Sequence, residues 1–300
     1  MTPKTKGYTF ALTAIVIFSL QDGISKHLGT SYPPVFIAMM RYWAFGLFVC
    51  LLAAKSPGGI AVVARSKRLG WQIFRGVLLA AQIVMSITSF TTVGLAHSQA
   101  IFAGTPLIVA LLSMPLLGEK VGWRRWLAIV IGLCGVLIIL RPSEASTFNP
   151  NLVIPITASV MFAIYAIATR LVSRVDPATT SFFYTGVAGA AAISLIGPFY
   201  WTNLAAPDWG WMLLLCITGI SGHYMLIRAY DLLDAVAVQP ITYLQLVLAC
   251  IMGVLLFHET LTVNMVTGSV IVVGAGIFTV WRENMVARRQ AKAARTVQLG

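Results

Sequence analysis

Asp22, Lys26 and Arg41 stand inside long apolar stretches, where an ionised side chain costs at least about 2.5 kcal/mol even on lenient insertion scales. Charges placed there must find partners or water. Asp22 comes six residues before the end of its stretch at Leu28, and Arg41 seven residues after the start of its own at Pro34. At 1.5 Å per helical residue both lie roughly 10 Å below the same membrane surface. Lys26 is one turn from Asp22 on the same helical face. A carboxylate facing a guanidinium or ammonium could gate a pathway or receive the two charges of an amino acid. It could equally be a static ion pair between the first two helices. Arg75 and Arg228 lie closer to helix ends, where they either snorkel to headgroups or face inward and frame an entrance.

A second constellation is polar but uncharged. Gln82, Ser86 and Ser89 follow the i, i+4, i+7 rule and share one face of the third stretch. Ser221, His223 and Tyr224 stand on the eighth, Tyr165 on the sixth, and Gln239, Tyr243 and Gln245 on the ninth. Such side chains either bond neighbouring helices or line a cavity for substrate. Pro106 and Pro240 are expected to kink the fourth and ninth helices, and the glycines of the fifth and tenth to mark close helix contacts. No metal-ligand spacing, phosphate loop or Ser/His pair stands out, so neither a metal, a cofactor nor an enzymatic site is expected. The four cysteines sit singly in separate apolar stretches and read as small hydrophobes.

The elements that must position these residues follow from composition. The 300 residues are 58% hydrophobic and 10% charged, with a mean hydropathy of +0.86, which a soluble core cannot absorb. Ten stretches are long enough to cross a bilayer as helices: Tyr8–Leu28, Pro34–Ala54, Gly70–Val93, His97–Leu117, Trp123–Leu140, Leu152–Val172, Thr179–Tyr200, Trp209–Leu233, Val236–Phe257 and Val263–Trp281. No signal-peptide cleavage site follows the first, which reads as a retained helix.

The net charge of +12 is a topology signal. With alternating helices, sixteen of the 21 lysines and arginines fall on the side of the N-terminus, and only Lys26 and Arg141 on the other. Positive residues stay cytoplasmic, so both termini are expected in the cytoplasm. No basic surface with interleaved aromatics points to nucleic acid.

The chain also repeats itself. Thr13–Phe18 returns as Thr157–Phe162, Lys26 falls on Arg170 and Pro33 on Pro177, a shift of 144 residues. Farther on the shift is 140: Trp71 falls on Trp211, Gln99 on Gln239 and Glu119 on Glu259. Five helices per repeat is odd, so the second repeat enters the membrane from the opposite side. The expected fold is all-α and integral to the membrane: ten transmembrane helices as two inverted five-helix repeats around a central cavity. Residues 1–7 form a cytoplasmic N-terminus, 8–148 the first repeat, 149–282 the second, and 283–300 a basic cytoplasmic tail touching anionic lipid.

Leu116-Leu117-Gly118-Glu119, its counterpart Leu256-Phe257-His258-Glu259, Met40-Arg41-Tyr42, Gly132–Val136 and Gly274-Ala275-Gly276 together resemble the drug/metabolite transporter superfamily, in its ten-helix EamA-type branch. His258 replaces the glycine usual in the second copy. The resemblance implies a small-molecule carrier acting as a monomer in a bacterial inner membrane. It is most similar to the YddG-type amino-acid exporters and implies amino-acid efflux, aromatic ones included; related branches carry riboflavin, S-adenosylmethionine or nucleotide sugars. A channel and a membrane enzyme are the rivals from other classes. No selectivity-filter loop supports the first, and no catalytic constellation the second.

Overall fold

A computed structural model describes residues 3–117, 123–140, 150–230, 232, 235–278, 281 and 285. In order, the helices are α1 (Pro3–Gly29), α2 (Pro34–Lys55), α3 (Gly59–Val63), α4 (Leu69–Thr92), α5 (Leu95–Phe102), α6 (Thr105–Leu117), α7 (Trp123–Leu140), α8 (Val153–Ser173), α9 (Ala178–Ile196), α10 (Asp208–Tyr230) and α11 (Ala235–Phe257). A last apolar helix, α12, spans Val263–Phe278. Five segments, Thr5–Gly29, Pro34–Lys55, Leu69–Thr92, Pro150–Ser173 and Ala178–Tyr200, are long and apolar enough to cross a membrane by themselves. Large apolar side chains such as Phe199 and Val263, 86% and 74% exposed, cover the outside as lipid-facing residues do.

Local sequence explains most boundaries. Pro33 caps α2 and Pro34 fills its first turn, where a missing N–H costs nothing. The fourth expected helix, His97–Leu117, is in fact two. It begins two residues earlier, at Leu95, and breaks at Ala103–Gly104 before Pro106 enters the first turn of α6. Pro106 therefore restarts a helix rather than bending one. α11 runs as one helix from Ala235 to Phe257, through Pro240. The short α3 lies in a loop where no helix was anticipated. Glycines in α7 and α12 do bring those helices together, since a Cβ on Gly268 would lie 2.6 Å from the Gly135 carbonyl oxygen.

The inversion of the repeats is visible at two equivalent loops. Tyr32 follows α1, and Asp176 follows α8 at the 144-residue shift. The Tyr32 hydroxyl donates to Asp208 Oδ2 at the start of α10 (2.6 Å) and accepts the Ala205 N–H (3.0 Å). Asp176 accepts the Lys67 N–H just before α4 (2.8 Å) and the Ser66 hydroxyl. Because α4 and α10 are themselves equivalent, the same loop-to-helix tie is built twice. Chain connectivity puts the two at opposite ends of the bundle, called here the Lys26 end and the Arg75 end. The protein is an all-α integral membrane fold made of two inverted repeats.

Two apolar clusters hold it. One gathers Leu28, Phe36, Tyr42, Phe45, Ile87, Phe183 and Leu215 from α1, α2, α4, α9 and α10. The other joins Ala100, Leu107, Ile129, Leu246, Met265 and Val272 from α5, α6, α7, α11 and α12.

Candidate functional site

Between the helices, Arg41, Tyr42 and Phe45 of α2 meet Leu79 and Ile83 of α4 and Cys216, Gly219, Ile220 and His223 of α10 around a cavity of about 10 Å³. That is room for about one water. Residues 216, 219, 220 and 223 keep the spacing of one helical face. Gly219 lets the side chains of α1 and α2 come close, since a Cβ there would lie 3.1 Å from Arg41 Nε and 3.3 Å from Gln21 Oε1. His223 stacks on Phe45 at 5.8 Å and 11° and takes the edge of Phe18 at 5.1 Å. The cavity thus has a flat aromatic wall and a cationic one.

Arg41 is 8% exposed, and among the described residues its guanidinium makes no hydrogen bond or ion pair. It does not pair with Asp22, as their matched depth had suggested. The two act on each other electrostatically, but Asp22 is turned to other partners. Its Oδ2 accepts Gln99 Nε2 of α5 (2.7 Å) and Gln245 Nε2 of α11 (2.6 Å). Among the described residues the buried Tyr42 hydroxyl and Gln21 Oε1 also have no hydrogen-bond partner. A buried cation and unsatisfied polar atoms around a cavity are costly to keep in an apolar interior unless a ligand uses them.

Lys26 does not serve Asp22 either. Its ammonium pairs with Glu259 and lies 4.4 Å from the centre of the Phe257 ring. The same carboxylate accepts the N–H groups of Leu95 (2.6 Å) and Ala96 (2.9 Å) at the start of α5. Two glycines make its slot: a Cβ on Gly253 would lie 2.9 Å from Oε2, and one on Gly94 3.1 Å from Oε1. Gly94 also adopts a φ of +106°, which suits glycine. Glu259 is a partner that stands outside the candidates named from the sequence. The available signal was its place in a duplicated helix-end motif, on the membrane side where Lys26 lacked a counter-charge. Its duplicate Glu119 lies outside the described residues.

At the opposite end Arg75 does not snorkel. It is 2% exposed and donates to Thr169 Oγ1 (3.1 Å) and the Tyr165 hydroxyl (3.2 Å) of α8. Its Nη1 donates to the Ser181 carbonyl of α9 (2.7 Å) and to Gln72 Oε1 (3.0 Å). Gln72 in turn donates to Asp176 Oδ2 (3.0 Å) and Ser181 Oγ (3.1 Å). Burial, the largest single influence on Asp176, raises its pKa, but bonds from Ser66, Gln72 and the N–H groups of Lys67 and Arg68 together carry it below the ordinary carboxylate value.

The remaining anticipated residues scatter. Gln82 donates to Ser86 Oγ on its own helix (2.8 Å), Ser89 and Ser98 share a bond between α4 and α5 (2.6 Å), and Ser221 returns to the Ile217 carbonyl (2.7 Å). Tyr243 is buried with its hydroxyl against Gly276. Tyr224 is 45% exposed, and Arg228 is exposed as well. The side chain of Gln239 lies outside the described residues. Of the whole set, Arg41 and His223 reach the cavity wall.

Comparison with known proteins agrees with this architecture. The chain is 27% identical over 280 residues to an S-adenosylmethionine uptake transporter of Rickettsia prowazekii, covering 92% of this chain and 93% of that protein. It is 28% identical over 302 residues to a riboflavin transporter of Vibrio cholerae, with coverage of 96% and 97%. To a pseudopaline exporter of Pseudomonas aeruginosa it is 25% identical over 277 residues, with coverage of 90% and 94%. A solved crystal structure, 19% identical, superposes with a TM-score of 0.63 over 95% of this chain and 99% of that one, which establishes a shared fold. The sequence pattern of the EamA-like transporter family matches twice, over residues 5–141 and 151–281, once in each half. A duplicated all-helical bundle with a charged central cavity, matched along nearly its whole length by transport proteins, places the chain in the EamA-like transporter family.

Proposed function

We propose that this transporter carries an amino-acid-type zwitterion bearing a flat ring, and that S-adenosylmethionine is the compound that fits best. The observation that carries the reading is the buried Arg41 guanidinium on the cavity wall, unbonded among the described residues. Its donors suit a carboxylate, held in the bidentate fashion of guanidinium–carboxylate pairs. Asp22, on the neighbouring helix and in electrostatic reach of Arg41, complements a cationic group. Phe45 and His223 offer a face for a ring or for a sulfonium through cation–π attraction. S-adenosylmethionine has all of these parts: carboxylate, ammonium, sulfonium and purine. Riboflavin supplies the ring without the charge pair. Simple amino acids, whose export the sequence resemblance implied, supply the headgroup alone, and none of the three relatives above is named for one.

A ligand of that size needs a pocket of some hundreds of Å³, so a cavity of about 10 Å³ represents a closed state. Both ends of the bundle are tied by polar networks around it, as alternating access requires of an intermediate. The orientation that fits the charge bias puts both termini in the cytoplasm and the Arg75 end there with them, in a bacterial inner membrane. A panel of labelled S-adenosylmethionine, riboflavin and amino acids offered to proteoliposomes tests the substrate. Saturable uptake of S-adenosylmethionine is the expected result; riboflavin flux with no S-adenosylmethionine flux would overturn it.

A further inference from the structure

We propose that two polar latches, Lys26–Glu259 at one end and Arg75 with Tyr165 and Thr169 at the other, open in alternation to admit solutes to the Arg41 cavity. This rests on the reading of that cavity as the transport site. Each latch joins the two repeats. Lys26 belongs to the first and Glu259 to the second, and the carboxylate grips both α1 and the start of α5. Asp22, one turn deeper, ties the same three helices through Gln99 and Gln245. Arg75 belongs to the first repeat, and its partners Thr169, Tyr165 and Ser181 to the second. Any movement of one repeat against the other that widens the Lys26 end must therefore part Lys26 from Glu259. Movement that widens the Arg75 end must part α4 from α8.

The chemistry suits release as well as closure. An ion pair exchanges its partner for water once the mouth is wet, whereas inside a dry protein a separated charge is strongly penalised. The latch at a given end is then stable either fully closed or fully hydrated, and unstable between. The Glu259 slot is built rather than incidental, with Gly94 and Gly253 both leaving space that a Cβ would fill.

Cys216 lines the cavity and serves as an internal reporter. With Cys50, Cys134 and Cys250 replaced by serine, a membrane-impermeant anionic thiosulfonate is applied from either side of sealed vesicles. Lys26→Met is expected to raise the rate of Cys216 labelling from the Lys26 side by about tenfold, a shift of about 1.4 kcal/mol in the latch equilibrium. Lys26→Arg should label like the parent. Tyr165→Leu with Thr169→Val should raise labelling from the other side alone. Should Lys26→Met fail to fold, Glu259→Gln carries the same expectation. Unchanged labelling in folded variants, or gains from the same side in both, overturns the latches. Failure of the transport-site reading looks different: Arg41→Gln would transport normally while the labelling pattern stayed as described.

Discussion

Replacing Arg41 with glutamine separates a ligand-binding role from a structural one, because the two predict opposite effects on stability. The guanidinium is 8% exposed and, among the described residues, has no hydrogen-bonded acceptor. An intramembrane arginine costs about 2.5–3.5 kcal/mol on the insertion scale, and among the described residues no bonded partner offsets that cost, only the more distant attraction of Asp22. Arg41→Gln should therefore leave thermal stability in detergent unchanged or raised, by up to about 3 kcal/mol. Uptake should suffer. A charge-assisted hydrogen bond contributes about 1.5–3 kcal/mol, so losing it at a carboxylate should weaken transport roughly 10- to 150-fold. Uptake of labelled S-adenosylmethionine and melting of the purified protein measure both quantities on one sample. A variant that melts lower yet transports normally would refute the reasoning, since Arg41 would then be a structural cation whose partners the geometry conceals.

Three further outcomes follow from particular contacts. Asp22→Asn combined with Arg41→Gln should show little of the 3–5 kcal/mol coupling expected of a broken buried ion pair, because Asp22 is bonded to Gln99 and Gln245 and not to Arg41; a double-mutant cycle on melting measures it. Gly94→Ala should destabilise by about 1–3 kcal/mol, since φ is +106° and the added carbon would press on the Glu259 carboxylate, and thermal melting would read the loss. Asp176 has a folded-state pKa below its ordinary 3.8, so its contribution to stability is present above that value and fades as the pH falls through the lower, folded one. The difference in melting temperature between the parent and Asp176→Asn should accordingly shrink below about pH 3.8.

Much of this architecture is legible in one sequence because hydrocarbon thickness sets helix length and repeat register sets symmetry. The proximity of Asp22 and Arg41 is readable too, and they do lie on neighbouring helices in electrostatic reach. Direction around the helix axis is not. It is set by packing of side chains far apart in the chain, and it turns Asp22 toward Gln99 and Gln245 instead of Arg41. Lys26 and Glu259 are separated by 233 residues, so no local pattern reveals that they meet. Arg75 illustrates the same gap: six residues from a helix start, it looked able to reach headgroups, yet Thr169, Tyr165 and Ser181 hold it inside. The break at Ala103–Gly104 was hidden because small residues in an apolar run leave the hydropathy unchanged. His223 and Arg41 were readable as candidates for the opposite reason, being polar groups that an apolar block tolerates only for cause.

The central claim is that one buried site around Arg41 is exposed to either side in turn, with a zwitterion as its cargo. Solute counterflow tests it most directly: proteoliposomes preloaded with unlabelled S-adenosylmethionine are diluted into a trace of the labelled compound. Label should accumulate transiently above its external concentration, and roughly 10- to 150-fold more slowly in Arg41→Gln. Equilibration without overshoot, or an overshoot as fast in Arg41→Gln as in the parent, would contradict it.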